Sequence, residues 1–116
     1  VCDTVVGLKN RYGYAAAFAG GLPVAAGFVK YDLARDRSEY YDLAGGQGSE
    51  PVFVKDPQGA AEDDGWVLSY VYQPKHNRSE VMIIDSRDFT AGPIARVHLP
   101  VRVPAGFHGN WVPAGY

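Results

Sequence analysis

The sequence predicts an all-β protein, a partial β-propeller, and three observations predict it. First, short runs rich in Val, Tyr, Phe and Ile are separated by 14 glycines and 8 prolines among 116 residues, the alternation that strands and turns produce. Second, Arg37-Ser38-Glu39 recurs as Arg78-Ser79-Glu80, 41 residues later, each time after a polar turn. Third, the strands around the two copies follow in the same order at nearly the same spacing. A period of about 40 to 45 residues with four strands per unit is the mark of a propeller blade.

The elements follow in order. Arg11 to Phe18 is a strand, with Gly13 and Gly20 crowding out any helix at Ala15 to Phe18. Gly27 to Leu33, Ser38 to Leu43 and Glu50 to Lys55 come next, separated by polar turns. Trp66 to Tyr72 and Ser79 to Asp85 flank the turn Pro74 to Arg78, and Pro93 to Leu99 and Phe107 to Val112 complete the series. Gly45-Gly46-Gln47-Gly48 reads as a loop, since it leads into a strand and not into a helix N-terminus that could cradle phosphate. Arg11 to Ala16 precedes the first Arg-Ser-Glu copy as Glu50 to Lys55 precedes the second. On periodicity alone, a β-meander or half of a sandwich is the alternative.

The propeller reading makes a geometric claim that the meander does not. The first strand of a blade lies nearest the axis, so residues that open it can face whatever occupies the channel. Glu50 and His108 open such strands in successive units. A neutral imidazole is a good ligand for first-row metals, and its second nitrogen usually donates to a carboxylate that fixes tautomer and direction. His108 suits the first role and Glu50 the second. Gly106 and Gly109 would leave room for close backbone approach. A histidine hydrogen-bonded in a turn is the plain alternative.

Other chemistries find little support. A net charge of -2 without like-charge runs calls for neither nucleic acid nor an anionic membrane. The most apolar stretch, Tyr14 to Val29, is broken by Gly20, Gly21, Pro23 and Gly27 and is too short to span a bilayer as a helix. Cys2 is the single cysteine, which suits a reducing compartment, and with no targeting signal visible the expected location is cytoplasmic. The chain begins with Val1 and not Met, so a fragment is expected. His76 sits in a polar turn and His98 on an outward-facing alternation, so neither is a ligand candidate. Glu62-Asp63-Asp64-Gly65 lacks the alternating spacing of a calcium loop and reads as a turn. There is no G-x-S-x-G nucleophile elbow. Tyr12, Tyr14, Tyr40, Tyr41, Tyr70 and Tyr72 are read as sheet packing. Phe107, beside His108, either lines an apolar tunnel or packs in the core.

The stretches SEPVFV (49–54), EDDGWVLSYVY (62–72), RSEVMIIDSRDF (78–89), ARVHLP (95–100) and VPAGFHGNW (103–111), in that order, resemble the C-terminal region of the carotenoid oxygenase family. The resemblance runs from about Lys9 to Trp111. It implies a seven-bladed β-propeller with a non-haem ferrous iron, Fe(2+), on its axis, held by four histidines with glutamates hydrogen-bonded to some of them. Residues 1–116 would then be the C-terminal portion of that propeller, about its last two blades. By resemblance His108 takes the place of the last iron ligand and Glu50 that of the last supporting glutamate. The implied reaction is cleavage of a conjugated carbon–carbon double bond of a carotenoid or apocarotenoid by O2, giving aldehyde or ketone products.

The other three ligand histidines of the family have no counterpart here. The isolated chain is therefore expected to hold iron poorly, to be inactive without the missing N-terminal blades, and to aggregate through its open edges. A truncated, non-catalytic β-domain acting as an interaction module is the rival reading. A carbohydrate- or peptide-binding propeller is a further one, and it would need exposed aromatics at the axis.

Overall fold

Two antiparallel meanders follow one another along the chain, seen in a computed structural model that describes residues 2, 6–19, 24–104, 106 and 108–114. The first is β1 (Tyr12–Phe18), β2 (Ala25–Asp32) and β3 (Arg37–Asp42). A two-residue strand, β4 (Gln47–Gly48), follows. The second meander is β5 (Val52–Lys55), β6 (Gly65–Gln73), β7 (Arg78–Asp85) and β8 (Pro93–His98). Short 3-10 helices at Pro74–His76 and Ser86–Ala91 fill the connections after β6 and β7.

The period read from the sequence is the period of the strands. Tyr12 to Val52, Ala25 to Gly65 and Arg37 to Arg78 are steps of 40, 40 and 41 residues between the starts of equivalent strands. The hairpins before the two Arg-Ser-Glu copies even end alike, on Asp36 (φ 50°) and Asn77 (φ 44°). Asx residues tolerate this left-handed conformation best among residues with a Cβ. Each meander is thus a blade-like unit, and the chain is part of a β-propeller.

The two units differ in completeness. β5–β6–β7–β8 is a four-stranded blade, with Val54 opposite Trp66, Tyr72 opposite Ser79 and Glu80 opposite His98. In the first unit the expected fourth strand is missing among the described residues. After β3 the chain turns inward, because Leu43 is buried and its N–H donates to the Ala26 carbonyl at 3.0 Å. It reverses at Gly45 (φ 94°) and emerges as β4, which pairs with Ala25 of β2 and with Val71 and Tyr72 of β6. The supposed loop at Gly45–Gly48 is therefore the seam that joins both units into one eight-stranded sheet. Gly48 is required there, since a Cβ would lie 2.9 Å from the Phe28 ring.

The core lies where the units meet. Phe28, Val67, Val71, Met82, Ile84 and Phe89 are each 2% exposed or less, and full burial of such a side chain stabilises by about 1.5–3 kcal/mol. Tyr14 stacks on Phe53 with ring centroids 5.0 Å apart, and its hydroxyl lies 2.6 Å from Ser86 Oγ. Burial pushes the Tyr14 phenol above its usual range.

Polar contacts also cross between the units. Lys30, 5% exposed, donates to Asp63 Oδ2 at 2.8 Å and to the Ser86 carbonyl at 2.6 Å. Glu62 accepts from the backbone N–H groups of Arg11 and Tyr12. The Asp64 carboxylate closes its own turn by accepting from Ala61 N–H at 2.9 Å. The acidic run is accordingly a structural turn whose carboxylates are engaged by the fold, as its spacing predicts.

One predicted strand is not formed. Residues 108–112 carry no strand hydrogen bonds, so His108 does not open a strand here. Its described hydrogen bonds run instead from His108 and Gly109 to the Glu50 carboxylate. No helix among the described residues is long and apolar enough to cross a membrane.

Candidate functional site

Glu50 owes its place to β6. Ser49 N–H donates to the Tyr70 carbonyl at 3.0 Å, and Ser69 Oγ donates back to the Ser49 carbonyl at 3.1 Å. These bonds hold the residue before Glu50 against the sheet, and buried Pro51 stiffens the entry into β5.

His108 arrives from the opposite direction. After β8, Leu99 N–H donates to the Ser79 carbonyl and Val103 N–H to Ser79 Oγ, both at 2.9 Å. The Arg102 guanidinium lies over the Tyr72 ring, 4.2 Å from its centroid. Val103, Pro104 and Gly106 border the same groove as Leu68 and Tyr70 of β6 and Val81 of β7, and His108 Nδ1 lies 2.8 Å from Glu50 Oε2. Gly109 N–H donates to the same oxygen at 3.3 Å. A carboxylate only accepts, so Nδ1 is the donor of this bond, and in the neutral imidazole that leaves the Nε2 lone pair for another partner.

The two side chains border a groove of about 390 Å³. Val52, Leu68, Tyr70 and Val81 line it from the sheet, and Val103 and Trp111 from the segment after β8. Its lining is mainly apolar, and the charged groups concentrate at the Glu50–His108 end.

The donor set fits a metal in part. The His108 side chain is 85% exposed, and with Nδ1 held by Glu50 its Nε2 is available. That is the arrangement of an imidazole ligand supported by a carboxylate. Among the described residues no group of three His, Cys, Asp or Glu side chains could hold an ion on its own. The fit is that of one contributor to a larger site.

The remaining predicted residues lie apart. His76 ends an exposed 3-10 turn. His98, half-exposed, has Nε2 at 3.7 Å from Glu80 Oε2 and belongs to a different cluster. Phe107 lies outside the described residues. Space does not demand the glycines beside His108: a Cβ on Gly106 would meet nothing, and one on Gly109 would make ordinary contact with Val52 at 3.6 Å. What sequence reasoning missed is the support under the segment after β8: Ser79, Tyr72 and Arg102. The Arg-Ser-Glu repeat pointed at Ser79, but only as a marker of period.

Comparison with known proteins gives this geometry a context. The family model described as RPE65, retinal pigment epithelial membrane protein, matches residues 1–113. The apocarotenoid-15,15'-oxygenase of Synechocystis is 39% identical over 91% of this chain and 22% of its own length. The carotenoid cleavage oxygenase of Mycobacterium tuberculosis is 37% identical over 96% of this chain and 23% of its own. The chain thus spans less than a quarter of the length of these relatives. Among solved structures, the lignostilbene dioxygenase of Pseudomonas brassicacearum superposes with a TM-score of 0.87 at 29% identity, over 97% of this chain and 26% of that one. Cobalt-substituted Synechocystis apocarotenoid oxygenase superposes with a TM-score of 0.83 at 35% identity, over 91% and 23%. With the match extending over nearly all of its residues, the chain belongs to the RPE65 family, that of the carotenoid oxygenases.

Proposed function

We propose that this chain is the C-terminal portion of a seven-bladed propeller oxygenase and supplies its ferrous iron centre with one ligand, His108, supported by Glu50. The observation that carries the reading is the 2.8 Å contact between His108 Nδ1 and Glu50 Oε2, which leaves Nε2 available. The other ligands would come from polypeptide beyond these 116 residues. When bound, iron would supply activation of dioxygen toward an electron-rich alkene.

The chain's own residues position and do not transfer protons. Glu50 holds the imidazole in one tautomer and one direction, and Ser49 and Ser69 hold Glu50. The apolar groove beside them suits a hydrocarbon chain, and fixing such a substrate relative to the reacting centre is a major part of catalysis. Phe107 would add to that apolar wall. In the reaction the conjugated carbon–carbon double bond breaks and each carbon takes one atom of the same O2, giving two carbonyl products. A carotenoid or apocarotenoid is the substrate class favoured by the Synechocystis and Mycobacterium relatives. A stilbene- or phenylpropanoid-like substrate is the second reading, favoured by the lignostilbene dioxygenase likeness and by an isoeugenol monooxygenase of Pseudomonas nitroreducens, 40% identical over 72% of this chain.

The test is substitution in the full-length protein. His108→Ala should abolish stoichiometric iron and cleavage of an apocarotenoid, and Glu50→Gln should weaken iron retention by roughly 10- to 100-fold, the usual cost of losing a ligand's supporting partner. Unchanged iron content in His108→Ala would refute the ligand role.

A further inference from the structure

We propose that Ser79 is a positioning residue for His108: it clamps both ends of the crossover 99–103 and so sets where the ligand segment leaves the sheet. The inference rests on the ligand role proposed for His108.

Ser79 is the second residue of β7 and 1% exposed. Its carbonyl accepts from Leu99 N–H, the residue after β8 ends, and its hydroxyl accepts from Val103 N–H, each at 2.9 Å. One residue therefore fixes the chain as it leaves the outer strand and again four residues later. Its cross-strand partner Tyr72 carries Arg102 over its ring at 4.2 Å and donates its hydroxyl to Asn77 Oδ1 at 2.7 Å, so the same strand pair supports the crossover from below.

Beyond Val103, the next hydrogen bonds of the segment among the described residues are those of His108 and Gly109 with Glu50. The imidazole is thus suspended between two supports, Glu50 and Ser79. Glu50 is 41% exposed in its side chain and exchanges readily with water. Ser79 itself is 1% exposed, and its bond to the half-buried Val103 N–H is better shielded from water than the Glu50 contact, so a shift of the segment loses that bond. The equivalent residue of the first unit, Ser38, is exposed, and its hydroxyl bonds nothing among the described residues. No crossover leaves the sheet there. The role belongs to the second copy alone.

The experiment uses the full-length oxygenase with three variants: Ser79→Ala, Met82→Ala and His108→Ala. Met82 is buried on the same strand and touches no part of the crossover's hydrogen bonding, so it controls for general destabilisation. Two quantities are read: the rate at which a ferrous chelator removes iron, and amide hydrogen exchange over residues 100–106. Ser79→Ala should release iron roughly tenfold faster and lose protection at the Val103 amide, while Met82→Ala lowers the melting temperature at least as much without either change. Iron release at the wild-type rate in Ser79→Ala, or an equal increase in Met82→Ala, would overturn the inference. If His108→Ala itself keeps its iron, the ligand role fails and this inference with it. If His108→Ala is iron-free while Ser79→Ala behaves as wild type, the positioning role alone is wrong.

Discussion

The two Arg-Ser-Glu copies have the same three residues, follow the same kind of hairpin and open equivalent strands, yet they live in opposite environments. Arg37, Ser38 and Glu39 are all exposed, whereas Ser79 and Glu80 are 1% exposed. The difference is made by neighbours. β3 pairs only with β2, and the residues that open it meet solvent, but β7 lies between β6 and β8. Glu80 there accepts from Arg96 and Gln73 and faces His98. A repeated tripeptide marks a structural position; the element laid beside it decides what that position costs to change.

The contrast breaks most visibly at the glutamates. Glu80→Ala removes a buried carboxylate and leaves Gln73 and Arg96 without their partner, which should cost about 2–3 kcal/mol, at or below the bottom of the range of about 3–5 kcal/mol for a broken buried pair because Arg96 reaches solvent. Glu39→Ala should stay within about 0.5 kcal/mol. Urea unfolding of the two variants side by side checks the pair, and equal losses would show that the copies are not distinguished by burial.

A second effect concerns the seam between the units. Lys30 stands on the core face of β2, where the equivalent place in β6 is taken by Val71. Lys30→Ala strands the Asp63 carboxylate and the Ser86 carbonyl and should cost about 2 kcal/mol. Adding Asp63→Asn should recover part of that loss, a double-mutant result measured by the same unfolding curves. Smaller again, Ser79→Ala should cost about 1 kcal/mol for one lost hydrogen bond, against no measurable change for Ser38→Ala.

The smallest difference is one of pH. At the end of β2, Asp32 accepts from Arg11 Nε and Nη2, each at 2.8 Å, and its carboxyl is held down to about 2 by that pairing, from an ordinary 3.8. The folded value lies below the unfolded one. The pair therefore stabilises the fold above about pH 4, and this contribution is lost as pH falls toward about 2. Asp85, lowered by the Arg87 side chain, acts in the same direction. The place equivalent to Asp32 in the second unit is Gln73, which does not titrate. Asp32→Asn should flatten the acid limb of the stability curve, and a limb unchanged in that variant would assign acid sensitivity elsewhere.

These contrasts explain what the sequence could and could not reveal. Strand identity was legible because Gly, Pro and Asx turns punctuate β-branched and aromatic runs, and seven predicted strands stand within two residues of their observed bounds. The seam at Gln47–Gly48 was not, since two residues carry no periodicity, and its pairing depends on Phe28 needing the space above Gly48. The predicted strand at 107–112 carried a good strand pattern, but residues 108 and 109 bond to the Glu50 side chain and not to a backbone ladder. Glu50 and His108 could be nominated together because the pattern predicted a strand opening at each, although only the strand after Glu50 forms among the described residues. Ser79 could not, because its sequence surroundings match those of exposed Ser38.

The pairing of Glu50 with His108 is the centre of the account, and the most direct measurement is an anomalous difference map at the iron edge from crystals of the full-length oxygenase. A peak within bonding distance of His108 Nε2, with Nδ1 still on the Glu50 carboxylate, is the predicted result. A peak bonded to other side chains, with His108 turned to solvent or ligating through Nδ1, would contradict it.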